Sequence, residues 1–356
     1  MIFTPIVGEQ SKRPILIAGP CSAETEDQVL ETARALAAGG KTDYFRAGIW
    51  KPRTRPGEFE GVGSIGLPWM RRVKEEFKLK TTTEVGNHYH VFEALKYGID
   101  ALWIGARTTA NPFSVQEIAD ALKGVDIPVL IKNPVNADLK LWIGAIERVY
   151  KSGITKIAAI HRGFTYHGQT PFRNMPHWQI PIDLKREFPH LPIICDNSHI
   201  CGRRDILFEV AQKAFDLDFD GLMTETHPNP DKAWSDAAQQ ITPQQYLELI
   251  GRLVIRPTES DDREFLENIV HLRHEIDDMD EELINLLGRR MKIADKIGEY
   301  KKRNNIAIYQ NTRWNEILDK AIDNGRRKGL SEEFVSIILK AIHDESINHQ
   351  EEILKK

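Results

Sequence analysis

Cysteine is scarce, with three in 356 residues. That excludes a disulfide framework and fits a reducing compartment, so a cytoplasmic protein is expected. No apolar run approaches the length that spans a bilayer. The first twenty residues lack the basic region and long apolar run of a secretory signal, so neither a membrane span nor a signal peptide is expected. Charge of one sign is not in excess: 48 Lys and Arg against 52 Asp and Glu leave a net charge of −4. Nucleic acid and anionic membrane both call for a basic surplus, so neither is an expected partner. No glycine-rich dinucleotide loop follows the first apolar run, which argues against a doubly wound nucleotide-binding sheet.

A sharper absence divides the chain. All 18 prolines lie at or before Pro257, and only four of the 24 glycines follow it: Gly288, Gly298, Gly325 and Gly329. A stretch without proline and with little glycine reads as long helices. The expected organisation is a first domain over 1–255, a polar linker over 256–264 and an all-α domain over 265–356.

What the first domain does contain is alternation. Short β-rich runs fall at 15–20, 44–49, 79–85, 101–106, 128–133, 156–161, 192–196 and 221–226, with helical periodicity between them. Asn111-Pro112 and Thr242-Pro243 read as helix starts. Eight β-α units in about 250 residues are what a (β/α)₈ TIM barrel requires. The expected fold is therefore α/β, a barrel followed by a C-terminal helical domain.

Barrel enzymes place their chemistry at the C-terminal ends of the strands. Arg46, Lys51, Arg107, Lys132 and Arg162 lie in or just after four of the apolar runs, Arg46 and Lys51 sharing the second. Like charges converging on one mouth call for an anion, and guanidinium forks suit phosphate and carboxylate. The plainer alternative is that they pair with Glu84 and other acids. Cys21, His199, Glu225 and Asp236 end strands 1, 7 and 8 or follow them. A thiolate, an imidazole and two carboxylates form a candidate divalent-metal site, open to Mn, Co, Fe or Zn. Cys195 and Cys201 fit a core role better.

Several of these residues sit in recognisable strings. Gly19-Pro20-Cys21-Ser22, Lys51-Pro52-Arg53-Thr54, Gly105-Ala106-Arg107-Thr108-Thr109, His161-Arg162-Gly163 and Asp196-x-Ser198-His199 resemble the type I 3-deoxy-D-arabino-heptulosonate 7-phosphate (DAHP) synthases, in their short Iβ form. The resemblance covers about residues 10–250. It implies condensation of phosphoenolpyruvate with erythrose 4-phosphate at a metal-dependent barrel site. By position, Cys21, His199, Glu225 and Asp236 would be the metal ligands. Arg46, Lys51, Arg107, Lys132 and Arg162 would hold phosphoenolpyruvate, with Lys51 also serving proton transfer. Pro52, Arg53 and Thr54 would receive erythrose 4-phosphate. Two departures stand out: Ala237-Ala238 after Asp236, where a glycine is expected, and Asn133-Pro134 after Lys132. The rival is the sister 3-deoxy-manno-octulosonate 8-phosphate synthase, which takes arabinose 5-phosphate.

In the tail, Ile276, Met279, Leu283, Leu286, Ile293, Ile297 and Tyr300 alternate in steps of three and four, skipping one beat at Arg290. One long helix with a heptad-like seam is expected. Arg273, Arg290 and Lys301 on that helix point to a dianionic ligand in a bundle. Leu272-Arg273-x-x-Ile276-x-x-Met279-Asp280-x-x-Leu283 resembles the start of the all-α chorismate mutases. By position, Arg273, Arg290, Arg313 and Ser346 would bind chorismate, with Lys301 and Gln350 as catalytic donors. Trp314 stands where some members place a glutamate. The resemblance implies a bifunctional enzyme with prephenate as product. Arg273 and Lys301 are 28 residues apart (301 − 273) on the one helix, too far for one ligand, so a homodimer through the tail is expected. A second enzyme fused to the first is well placed for feedback, so prephenate or chorismate is expected to inhibit the synthase. A non-catalytic sensor and a dimerisation coiled coil are the alternatives for this segment.

Overall fold

The computed structural model of the chain describes residues 1–8, 14–52, 57, 59–257, 259–309 and 311–355, with backbone alone for 311–313. Each of the eight apolar runs becomes a strand: β1 (Ile15–Gly19), β2 (Tyr44–Arg46), β3 (Lys80–Val85), β4 (Ala101–Ile104), β5 (Val129–Lys132), β6 (Ile157–His161), β7 (Ile193–Asp196) and β8 (Gly221–Glu225). All neighbours pair in parallel and β8 closes on β1, giving the expected barrel. The run expected over 44–49 leaves the ladder after Arg46. There the chain passes so close to the first strand's end that a Cβ on Gly48 would lie 2.7 Å from the Cys21 carbonyl oxygen. Glycine is required for that approach. Helix starts are capped as the sequence implies: Asn111 accepts from the Phe113 N–H, and Thr242 with Gln245 forms a capping box.

The two-residue strand period sorts side chains into two layers. Tyr44, Trp103, Leu130, Ile160, Ile194 and Met223 fill the barrel interior. Phe45, Leu102, Ile131, Ala159, Cys195 and Leu222 face the surrounding helices. Two residues beyond an interior apolar residue, the same inward direction recurs at the mouth. Tyr44 leads to Arg46, Leu130 to Lys132, Ile194 to Asp196 and Met223 to Glu225. The apolar layer thus carries a charged layer on its C-terminal side.

The chain divides into two compact units, Met1–Thr258 and Glu259–Lys356. The second holds a 41-residue helix (Arg263–Arg303), a middle helix (Asn311–Arg327) and a last helix (Glu332–Lys355). The long and last helices run parallel: Arg290 meets Ser346, Asp295 meets His349, and Lys302 reaches the Ile353 carbonyl. Gly298 lets them approach closely, since a Cβ there would lie 3.2 Å from the Gln350 Cα. The seam residues are not packed inside this unit: Ile276, Met279, Leu283, Leu286, Ile293, Ile297 and Tyr300 are all exposed. No helix among the described residues is long and apolar enough to cross a membrane.

Candidate active sites

The charged layer forms the floor of a cleft at the barrel mouth. Arg46, fully buried, stacks over Trp103 and pairs with Glu225 at 3.1 Å. Lys132, also buried, pairs with Asp196 at 2.8 Å. Two of the five expected cations are therefore neutralised by buried acids, which revises the picture of five free charges around one anion. Glu84, the acid weighed as their partner, lines the same cleft and accepts from the Trp103 indole at 3.1 Å.

Lys51, Pro52, Arg107, Lys132 and Arg162 line the cleft with His199, Asp236 and an additional cation, Arg173. The Arg162 guanidinium donates to neutral oxygens, Asn174 Oδ1 at 2.7 Å and the Gly163 carbonyl at 3.3 Å. Burial pushes its pKa down to about 10, with Arg173 and Arg107 adding repulsion. A cation destabilised by burial and by other cations is a place for an anion. Arg53 and Thr54 lie outside the described residues.

Beside this cleft, ligand atoms of Cys21, Glu225 and Asp236 lie within 4.8 Å of one another. Cys21 Sγ is 3.2 Å from Asp236 Oδ2. His199 stands at the edge of this group, its Nδ1 3.7 Å from a Glu225 oxygen. That nitrogen is committed to Asp196 at 3.0 Å, which leaves Nε2 as the ring's other donor atom. Burial pushes the His199 pKa down, favouring the neutral, metal-ligating form. Burial pushes the Cys21 thiol up to about 12. Burial also raises the Glu225 carboxyl, yet nearby positive charge, from His199 when protonated and from Arg46, outweighs it and holds the group below its usual range. Glu225 Oε1 is the oxygen that faces Arg46 at 3.1 Å, and it accepts no hydrogen bond of good geometry among the described residues. A buried carboxylate oxygen held only by charge, beside a thiol and a second carboxylate, fits a divalent transition metal.

His161 does not join the mouth, although it ends β6. Ile160 points inward, so His161 points outward, among Trp142, Phe164, Trp178 and Phe219. His227 likewise ties loops together: its Nδ1 accepts from the Asn229 N–H and its Nε2 lies 3.3 Å from Glu24.

In the helical unit, Arg290 Nη1 meets Ser346 Oγ at 2.5 Å. Gln350, one turn beyond Ser346, is buried, with its Oε1 unpaired among the described residues. Lys301 donates to the Ile308 carbonyl at 2.5 Å. Trp314 stacks on His343 with ring centroids 4.1 Å apart. The structure thus gathers Arg290, Ser346 and Gln350 on facing helices. Arg273 lies 17 residues before Arg290 on the long helix, and the Arg313 side chain lies outside the described residues.

Comparison with known proteins finds a match for each of the two units. The model of the DAHP synthetase I family matches residues 4–254. The chain belongs to the DAHP synthetase I family. The type II chorismate mutase model matches residues 272–351. The chain is thus a bifunctional enzyme, with DAHP synthase and chorismate mutase domains. It is similar to the phospho-2-dehydro-3-deoxyheptonate aldolase of Thermotoga maritima, 32% identical over 238 residues, covering 67% of this chain and 68% of that one. A crystal structure of the Thermotoga DAHP synthase superposes with a TM-score of 0.60 at 30% identity over 67% of each chain. A 2-dehydro-3-deoxyphosphooctonate aldolase from Desulfotalea psychrophila is 26% identical over 257 residues, covering 67% of this chain and 88% of that one.

Three site residues of the synthase domain escaped the sequence reading as contributors. Asp196 is the shared partner of Lys132 and His199; its place two residues beyond the inward Ile194 was a usable signal. Arg173 and Gln239 come from loops, where no periodicity marks direction, and only the fold brings them to the ligand cluster.

Proposed function

We propose that the barrel condenses phosphoenolpyruvate with erythrose 4-phosphate at the Cys21–Glu225–Asp236 cluster, with His199 as the fourth ligand of a divalent metal (Mn, Co, Fe or Zn). The observation that carries this reading is the meeting of that cluster with a cleft lined by cations. The metal, when bound, supplies Lewis acidity at the aldehyde oxygen. The chain's own residues do the rest. Arg107 and Arg162 bind the phosphate and carboxylate of phosphoenolpyruvate. Arg46 and Lys132 act from the floor, held in place by Glu225 and Asp196. The enol carbon attacks the aldehyde carbon, water adds to the carbon bearing phosphate, and phosphate leaves by C–O cleavage. Lys51, whose Nζ reaches the cluster, is placed to deliver a proton to the new alkoxide. Pro52, Arg53 and Thr54 take the erythrose 4-phosphate end. The test is phosphate release from phosphoenolpyruvate with erythrose 4-phosphate against arabinose 5-phosphate; faster release with the pentose would reject this reading.

In the helical unit, Arg290, Arg313 and Ser346 would hold chorismate, and Lys301 and Gln350 would donate to the breaking ether oxygen. The rearrangement forms no covalent intermediate, so positioning and oriented donors supply the catalysis. Arg273 completes the clamp only from a second copy. It and Lys301 lie on one uninterrupted helix, 28 residues apart (301 − 273), hence about 42 Å at 1.5 Å per residue. The exposed seam supplies the surface for that copy. A homodimer with shared mutase sites follows, and prephenate acting at those sites would inhibit the synthase. The three free, buried cysteines fit a reducing, cytoplasmic setting.

A further inference from the structure

Asp236 and Glu225 share one support. Arg173 Nη1 donates to Asp236 Oδ1 at 2.9 Å and to Gln239 Oε1 at 2.6 Å. Gln239, buried, passes the contact on, its Nε2 donating to Glu225 Oε2 at 2.7 Å. The amide can face only one way. Its acceptor end must meet a guanidinium and its donor end a carboxylate, so the two charged neighbours fix its orientation.

The consequence is a division of labour among four oxygens. On Asp236, Oδ1 is held by Arg173 and Oδ2 is the oxygen beside Cys21 Sγ. On Glu225, Oε2 is held by Gln239, while Oε1 has only charge contacts, to Arg46 Nη2 at 3.1 Å and His199 Nδ1 at 3.7 Å, and no hydrogen bond among the described residues. Asp236 also sits at φ +51°, in the left-handed region that residues other than glycine adopt less readily. The Gln239 N–H, donating to the Asp236 carbonyl at 3.2 Å, adds a backbone tie.

We infer that Arg173 and Gln239 form an outer clamp that presents one oxygen each from Asp236 and Glu225, and so sets the affinity and selectivity of the metal site. This rests on the proposed ligand set. Arg173 and Gln239 are positioning residues for that set. One oxygen from each carboxylate beside a thiolate and an imidazole suits a first-row transition metal and disfavours Ca²⁺, which takes six to eight oxygens and often both oxygens of a carboxylate.

The test is metal affinity, read by chelator competition and by the thiolate-to-Co²⁺ charge-transfer band, in full-length protein. Gln239→Leu, close in size, removes both ends of the relay. Arg173→Gln changes a half-exposed side chain and leaves the core intact. Each is expected to weaken Co²⁺ binding roughly 10- to 100-fold, the usual scale for losing an outer-shell partner. Each should also lower the ratio of Co²⁺ to Ca²⁺ affinity, which a merely structural role would not move. Mutase activity monitors the integrity of the rest of the chain. Cys21→Ala separates the two ideas. If it leaves Co²⁺ affinity unchanged, the ligand set is wrong. If it abolishes binding while both clamp variants stay within twofold of the parent, the clamp alone is refuted.

Discussion

Lys51 Nζ lies 2.9 Å from Cys21 Sγ and 3.1 Å from the Cys21 carbonyl oxygen, joining the Lys-Pro-Arg-Thr string to the end of the first strand. A lysine this close to the cluster links the proposed metal donor to the proposed proton donor. Chelation is therefore expected to abolish synthase activity, and Mn²⁺ or Co²⁺ to restore it. Cys21→Ala should lose most synthase activity even with metal in excess, while mutase turnover stays at the parent value. Full activity in protein shown by elemental analysis to be metal-free would sink the metal assignment.

Arg162 is the cation that burial destabilises most clearly in the cleft. Arg162→Ala is expected to raise the KM for phosphoenolpyruvate and lower kcat, with kcat/KM falling roughly a hundredfold or more, the scale for removing a desolvated charge partner. The KM for erythrose 4-phosphate should move little, whereas Arg53→Ala should move chiefly that one. Initial-rate kinetics with each substrate varied in turn will distinguish the two; equal effects on both KM values would undo the division of the cleft.

Much of this was legible in the sequence because periodicity encodes direction. Eight apolar runs gave eight strands, and the charged residue ending several of them points into the mouth because an inward apolar residue lies two positions before it. The same rule, applied to His161, would have sent it to the outer layer. Pairing was not legible: nothing local says that Lys132 meets Asp196, 64 residues on, or that Arg46 meets Glu225. The tail's seam was legible as a stripe, but not that its own unit leaves it exposed.

His161 carries a separate consequence for stability. Burial among aromatic rings pushes its pKa down to about 3, against about 6.5 for an unfolded imidazole. Between those values the unfolded chain holds a proton that the folded chain excludes. Stability is thus retained above pH 6.5 and lost as the pH falls, by up to about 1.4 kcal/mol per pH unit. Urea unfolding of the barrel at pH 7 and pH 5 should show this slope, and His161→Phe should flatten it. An identical slope in the variant would assign acid sensitivity to other groups.

In the helical unit, Gln350→Ala and Lys301→Ala are each expected to cut mutase turnover by roughly a hundredfold or more, the scale for losing an oriented donor. Far-ultraviolet circular dichroism will check that the helices persist. Trp314 stacks on His343. A rise in turnover for Trp314→Glu would show that the stacking arrangement costs catalysis; a fall would show that this chain uses it. Unchanged turnover in both donor variants would place the mutase site elsewhere.

The two activities on one chain invite control of one by the ligand of the other. The synthase begins a sequence whose later product the mutase consumes, so a ligand held by the helical unit reports on downstream supply. Prephenate is expected to inhibit the synthase by binding that unit. Tenfold inhibition asks for only about 1.4 kcal/mol of coupling, within the ordinary range for linked sites. Two variants locate the effect. Arg290→Ala removes a guanidinium that meets Ser346 and should raise the inhibitory prephenate concentration at least tenfold. Truncation to 1–255 keeps both hydrophobic clusters of the barrel, all of whose residues precede 254, and should retain synthase activity with no inhibition. Synthase rates against prephenate concentration for the three proteins decide the matter. Equal inhibition of all three would place the effector on the barrel, and an unresponsive full-length enzyme would remove feedback through the tail.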